Sequence, residues 1–259
     1  MIRRIRTCAG PAYVRRLVSS PGGFAVVTCV YVLTALALDR GADRVGEAAI
    51  GVATWGALLF ACRSLEPLDR ARVAALVLVA TAGEVVGSLI LGWYTYRRAD
   101  LPAFVPPGHG LVYLTGLRLS RSAFVRRRAR AVSVAALTVG AAWALAGVTI
   151  TTRSDVAGGL CMGMLAFLIL RGRAPALYAC MFACVAALEL YGTAMGTWQW
   201  AVVGPHFALP AGNPPSGIAA GYCVFDAAAL ALGPRLLRLW RERGWRLVPR
   251  RAAGCEQAG

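Results

Sequence analysis

The chain has 259 residues, of which 58% are apolar and only 15% charged, and its mean hydropathy is +0.59. Soluble globular domains are about half apolar and about a quarter charged, so these values exclude one, together with disordered, coiled-coil and disulfide-scaffold chains. The formal charge is +16 and all 28 basic residues are arginine; in so apolar a chain they belong at the flanks of membrane spans, facing anionic lipid head groups, and no nucleic-acid partner is implied.

Crossing about 30 Å of hydrocarbon takes about 20 apolar residues. The basic segment 1–20 resembles the start of a signal peptide, but no small-residue cleavage site follows. Asp39-Arg40 closes the first apolar run, so it reads as a retained helix. Eight spans are expected, at roughly 22–38, 45–62, 73–94, 103–119, 131–150, 156–170, 174–199 and 215–233, with a basic tail over 236–259. Alternate connections and the two ends hold 23 of the 28 arginines, and the remaining loops hold 5. That split predicts a multi-pass cell-membrane protein with both termini cytoplasmic. The eight cysteines lie mostly inside apolar runs with no C-x-x-C pair, where a thiol behaves as a small hydrophobe.

The third span reads Glu84-Val-Val-Gly87-Ser-Leu-Ile-Leu-Gly92-Trp93-Tyr94-Thr-Tyr96 and the seventh Glu189-Leu-Tyr-Gly192-Thr-Ala-Met-Gly196-Thr-Trp198-Gln-Trp200. Both carry Glu-x-x-Gly, a second glycine, then two aromatics separated by one residue. Pro106-Pro107 and Pro214-Pro215 then open the next spans. The pattern predicts an all-α bundle of two four-helix repeats, over 21–125 and 131–235. Because each unit has an even number of spans, the repeats are parallel, related by an axis along the membrane normal.

Three acids lie deep in spans: Glu84, Glu189 and Asp226. An ionised acid at that depth costs at least about 2.5–3.5 kcal/mol, so such groups are protonated, paired or face a polar cavity. His109 shares a helix face with Tyr113, as Asp226 does with Tyr222. Interhelical hydrogen bonding is the plain alternative, since Gly83/Gly87, Gly192/Gly196 and Gly217/Gly221 make GxxxG pairs beside the acids. The aromatics Trp93, Tyr94, Tyr96, Trp198 and Trp200 either form the outer interfacial belt or line a pocket above the two glutamates. In the pocket reading Asn213-Pro-Pro-Ser216 and Pro106-Pro-Gly-His109 are rigid caps on the fourth and eighth helices. His206 is expected to be solvated in an outer loop. An offset of 108 places Arg118 opposite Asp226, so the acid is expected to have no counterpart in the first half.

The sequence holds no phosphate-binding loop, dinucleotide fingerprint, HExxH or G-x-S-x-G. Glu84-x-x-Gly87 leading to Gly92-x-Tyr94-x-Tyr96 and Pro106, with Gly196-x-Trp198-x-Trp200 and Pro210-x-x-Asn213 later, resembles the membrane carotenoid-biosynthesis hydratases acting on bacterioruberin-type precursors. The resemblance implies cofactor-free acid catalysis on a polyene or isoprenoid. A carboxylic acid protonates a C=C bond, aromatic faces stabilise the cation, and water or an internal alkene captures it. The resemblance thus implies a lyase (hydratase), or a membrane terpene or carotenoid cyclase, with no metal.

Under that reading Glu84, Glu189, Asp226 and His109 are the catalytic set, because two carboxyls at one depth cannot both ionise cheaply and one keeps a transferable proton. Trp93, Tyr96, Tyr113, Trp198, Trp200, Asn213 and Tyr222 bind a hydrophobic small-molecule substrate. The expected partners are membrane lipids and enzymes of the isoprenoid pathway. Midplane acids between parallel repeats equally suit a proton-coupled transporter, and a non-catalytic membrane subunit is the third reading.

Overall fold

The computed structural model describes residues 19–206 and 208–243. Most of the basic segments expected over 1–20 and 236–259, with Cys8 and Cys255, lie outside the described residues. The fold is almost wholly helical: α1 (Pro21–Asp39), α2 (Arg44–Cys62), α3 (Pro67–Glu84) running into a π-helical stretch (Val85–Ile90), α4 (Val105–Ser120), short α5 (Ala123–Arg127), α6 (Ala129–Thr149), α7 (Val156–Arg171), α8 (Pro175–Met195) and α9 (Ala219–Glu242). Two three-residue strands, β1 (Tyr94–Tyr96) and β2 (Trp198–Trp200), pair antiparallel.

Among the described residues six helices are long and apolar enough to cross a membrane: α1, α2, α3 with its π-helical extension, α6, α8 and α9. The segments expected as fourth and sixth spans form α4 and α7, of 16 residues each. At 1.5 Å per residue these are about 24 Å long, short of the hydrocarbon thickness. The third and seventh runs are also not helical throughout, since the helices end before the aromatic pairs. Helix α9 begins at Ala219 and continues to Glu242, into the residues expected as tail.

Local sequence sets the helix starts. Ser20 accepts from Gly23 N–H at 3.0 Å with Pro21 in the first turn, and Asp43 accepts from Gly46 N–H at 2.8 Å. The outward surface is apolar: Val30, Val52, Phe60, Leu145 and Phe167 are all exposed. An apolar exterior of this extent suits lipid and not water. Inside, α4 is enclosed by α1, α2, α3 and α8, and α3 packs along α9. Four of the six glycines expected in packing pairs make close contacts, though not all between helices. A Cβ on Gly83 would run into Phe225 of α9, one on Gly87 would press on Tyr94, and one on Gly217 would run into the α7 backbone at Met162.

One end of the bundle is tied by Asp69, which accepts from Arg121 at 2.5 and 2.9 Å and from Arg72 at 3.0 Å. At the opposite end Arg97 meets Asp39 at 3.3 Å and Arg98 meets Glu47 at 3.2 Å.

Candidate functional site: two carboxyls in an aromatic cavity

The site is built by the way two helices stop. After Glu84 the chain widens into π-helical turns, where Leu91 N–H reaches Val86 O at 2.8 Å, and Gly92 then takes φ +61°. After Glu189, α8 ends at Gly196 with φ +74°, and Thr197 N–H closes back on Gly192 O at 3.0 Å. Only glycine takes this left-handed conformation without strain, which explains the second glycine of each motif. Gly196 is therefore a helix terminator and not half of a helix-packing pair. Gly192 is the place where the Trp198 ring lies, and a Cβ there would land inside it.

Each reversal folds the aromatic pair back under its glutamate. In a strand, alternate side chains share a face, so one intervening residue puts both aromatics on the same side. The register pairs Tyr94 with Trp200, Thr95 with Gln199 and Tyr96 with Trp198. The ring centroids of Tyr94 and Trp200 are 4.6 Å apart, and those of Tyr96 and Trp198 are 6.2 Å apart. The aromatics meet as one platform.

Glu84 is buried and accepts from Tyr94 Oη and Tyr96 Oη, both at 2.6 Å on Oε2, while His109 Nε2 meets Oε1 at 2.7 Å. Glu189, also buried, accepts from Trp198 Nε1 at 2.9 Å and Trp200 Nε1 at 3.1 Å on Oε2, and from Tyr222 Oη at 2.9 Å on Oε1. An indole N–H can only donate, whereas a phenol and an imidazole can donate or accept. The hydrogen bonds made by His109 and Tyr222 on the two Oε1 atoms can therefore reverse as a proton moves. Both these side chains line the cavity.

The space between the lining side chains amounts to about 1010 Å³, counting the part open to the surroundings. Glu84, His109, Glu189, Tyr222, Trp93 and the four platform rings form its polar and aromatic wall. Val32, Leu36, Phe104, Val105, Leu188 and Phe225 contribute apolar lining. Tyr31 and Thr54, hydrogen-bonded to each other at 2.7 Å, are polar lining residues that sequence reasoning missed. The π-helix after Glu84 had no sequence signal either, although such widenings are frequent at functional sites.

Two helix faces complete the wall. On α4, Val105, Gly108, His109 and Val112 line the cavity, and Ile218 at the N-cap of α9 with Gly221, Tyr222 and Phe225 on it do so. The spacing is the same i, i+3, i+4, i+7 stripe. His109 thus stands opposite Tyr222, with ring centroids 5.0 Å apart. The stripes are related by an offset of 113, at which the position matching Asp226 is Tyr113, whereas the offset of 108 points to Arg118. The loop before α9 is longer than the one before α4.

Of the expected catalytic set, Glu84, Glu189 and His109 come together, and Asp226 does not line the cavity. It is buried on the flank of the α9 stripe, and neither carboxyl oxygen has a hydrogen-bond partner. Among the expected substrate-binding residues, Trp93, Tyr96, Trp198, Trp200 and Tyr222 line the cavity, whereas Tyr113 and Asn213 do not. Tyr113 is fully buried with an unpartnered hydroxyl. Asn213 instead holds the platform: its Oδ1 accepts from Trp200 N–H at 3.0 Å and its Nδ2 donates to Gln199 Oε1 at 2.6 Å. Pro106 does open α4, but Pro214 and Pro215 lie in the loop ahead of α9, with a cis bond between Asn213 and Pro214. His206 is exposed, in line with its expected place in a loop.

Two further residues support the platform from behind and carried no motif. Arg153 donates to the carbonyls of Ala211, Trp200 and Ala201 at 2.5, 2.7 and 2.8 Å. Burial pushes its guanidinium down from the ordinary value, and the Asp155 carboxylate pulls it back up. Asp155 accepts from Gly158, Gly212 and Ser216 N–H at 3.1, 2.7 and 2.7 Å, so it caps α7 and clamps the loop before α9 together.

Compared with protein-family models, with curated proteins and with solved structures, the chain matches none.

Proposed function

We propose that this chain is an integral cell-membrane enzyme that hydrates or cyclises a C=C bond of an isoprenoid, polyene or similar lipid by cofactor-free acid–base chemistry. One observation carries the reading: two buried carboxyls, each held by a reversible hydrogen bond, face one apolar cavity walled by aromatic rings. An apolar cavity with a few converging polar groups suits a hydrophobic small molecule. Tyrosine and tryptophan faces attract a cation, including a carbocation formed there.

In this mechanism the His109–Glu84 pair delivers a proton to one alkene carbon, leaving positive charge on its neighbour against the platform rings. In hydration, water adds its oxygen to that carbon and gives its proton through Tyr222 to Glu189. In cyclisation an internal alkene closes onto the cation instead, and a carbon-bound proton leaves to the same base. Return of the proton to His109–Glu84 resets the site. General acid and base groups of this kind contribute about 10²–10⁴-fold each.

The architecture proposed with this function is eight spans in two parallel four-helix repeats, both termini cytoplasmic. Packing of α3 on α9 and of α4 on α8, the self-complementary strand register and the matching stripes on α4 and α9 support it. Lipid extracts of a deletion strain, compared by mass with wild type, test the activity. The expected result is accumulation of a species lighter by one water, or an uncyclised isomer, restored by the wild-type chain. Unchanged lipids would favour the proton-coupled carrier, which the same paired carboxyls would suit.

A further inference from the structure

The cavity wall holds a polar pair that the mechanism above does not use. Tyr31 on α1 and Thr54 on α2 both line it, and their hydrogen bonds run to one another and to Ile50 O, not to a carboxyl. The neighbouring lining on α1 is apolar: Val32, Ala35 and Leu36. Leu36 packs with Tyr96 and Trp198 of the platform, and Tyr31 lies five residues before it, about 8 Å along the helix. Tyr31 itself packs against the main core of the bundle. The cavity therefore runs from the platform to a second polar spot away from the carboxyls.

Counting protons fixes what that spot can bind. A threonine hydroxyl has a single proton, and Thr54 gives it to the Ile50 carbonyl at 2.7 Å on its own helix. A carbonyl oxygen can only accept, so in the 2.7 Å contact with Tyr31 Oη the threonine oxygen is the acceptor and Tyr31 the donor. Both hydroxyl protons are then committed, and acceptor capacity on the Tyr31 oxygen is what is left for a ligand. A hydroxyl that already donates also accepts more strongly. Such a group holds the O–H of an alcohol, whereas an ether, a ketone or a bare hydrocarbon brings it no donor.

We infer that Tyr31 is a specificity-determining residue whose oxygen accepts a hydrogen bond from a hydroxyl group on the chain lying in the cavity, so that the substrate is an isoprenoid or polyene alcohol and not a hydrocarbon. The inference names the substrate class of the acid–base reading and rests on that reading for its purpose. An isoprenoid repeats one branched unit, so apolar lining alone does not distinguish one double bond from the next. A hydroxyl held at Tyr31 sets the register of the chain and brings a particular double bond to His109 and Glu84, which is how a few placed polar groups orient a hydrophobic ligand. No bond is made or broken at Tyr31.

Binding to the purified full chain in lipid bilayers tests this without turnover. The probes are geranylgeraniol, its methyl ether and the corresponding hydrocarbon at equal mole fraction in the bilayer. Tryptophan fluorescence is the readout, since Trp93, Trp198 and Trp200 line the cavity. Wild type should prefer the alcohol over the ether and the hydrocarbon by about three- to tenfold, the size of one net hydrogen bond. Tyr31→Phe should abolish that preference. Thr54→Val releases the Tyr31 proton, so the ether should gain affinity over its wild-type value and approach the alcohol, a change that a mere tie between α1 and α2 would not produce. Equal binding of alcohol and ether by wild type overturns the inference whether or not either variant folds. A preference that survives Tyr31→Phe, with only the thermal midpoint lowered, would also overturn it and make the pair an interhelical tie. The enzyme reading fails separately: unchanged lipids in the deletion strain with the alcohol preference intact would leave an alcohol site in a carrier. Altered lipids with no alcohol preference would overturn the Tyr31 site alone.

Discussion

His109 and Tyr222 face each other across the cavity with ring centroids 5.0 Å apart, and each holds a different carboxyl, Glu84 at 2.7 Å and Glu189 at 2.9 Å. The two acids are thus linked through a pair of rings that line the cavity. Neither acid needs to leave its other hydrogen bonds to take part, because Tyr94, Tyr96, Trp198 and Trp200 hold the opposite oxygens. Preorganised groups of this kind do not have to rearrange as charge develops.

The first prediction separates the two rings. His109→Gln can still donate to Glu84 but cannot transfer a proton. It should insert normally and lose about 100-fold or more of product formation, as expected for a general acid. Tyr222→Phe leaves Glu189 its two indole donors and its basic oxygen, so a smaller loss is expected. Product mass measured in complemented deletion strains decides this, and equal losses would assign the two rings equal roles.

The carboxyls themselves come next. In Glu189→Gln the amide oxygen can accept from Trp198 and Trp200 while its nitrogen donates to the Tyr222 oxygen, so the packing survives. Glu84→Gln can likewise accept from Tyr94 and Tyr96 and donate to His109. Both variants should accumulate at wild-type levels, judged by membrane immunoblot, yet lose about 100-fold or more of activity. Full activity in both would make the acids interhelical hydrogen-bond groups, in the way membrane bundles use polar residues.

The sequence announces much of this site because its parts are local. Glutamate, turning glycine and paired aromatics lie within 13 residues from Glu84 to Tyr96, so strand alternation alone predicts that both rings share a face. Asp226 is legible as a deep acid but not as one outside the cavity. It lies on the same broad face as Tyr222, yet one residue round from Phe225, and 3.6 residues per turn carry it onto the flank. Gly83 leaves room for Phe225 there, a contact between distant helices that no local pattern reveals. Arg153 and Asp155 were hidden for the same reason: their partners are backbone groups, at Trp200, Ala201 and Ala211 for Arg153 and at Gly158, Gly212 and Ser216 for Asp155.

Membrane topology yields a third prediction. Helices α4 and α7 are short for a bilayer, so whether the chain crosses at them decides between six spans and eight. Reporter fusions after residues 68 and 125 should read cytoplasmic, and those after 42, 100, 154 and 208 external, following the arginine distribution. Like signals at 100 and 125 would mean that α4 is enclosed without crossing. A cytoplasmic signal at 208 would sink the eight-span arrangement.

The last prediction concerns Asp155, which has no part in the chemistry. Its Oδ1 accepts from Gly158 and Gly212 and its Oδ2 from Ser216, all in a buried setting. Asp155→Ala strands three N–H donors, each costing about 1–3 kcal/mol when buried and unmet. Asp155→Asn is nearly the same shape but must place an NH₂ group against at least one donor. If its oxygen keeps Gly158 and Gly212, the nitrogen opposes Ser216 N–H. The asparagine variant should therefore lose stability despite its fit, whereas Asp155→Glu keeps two acceptors but adds a methylene to a packed site. Thermal unfolding in detergent should rank wild type above Asn and Asn above Ala. Trp fluorescence should report the loss, since Trp200 sits on the loop that Asp155 and Arg153 brace. A wild-type midpoint for Asp155→Asn would show that the clamp does not depend on an acceptor at both oxygens, and that the loop is held by Arg153 and Asn213 instead.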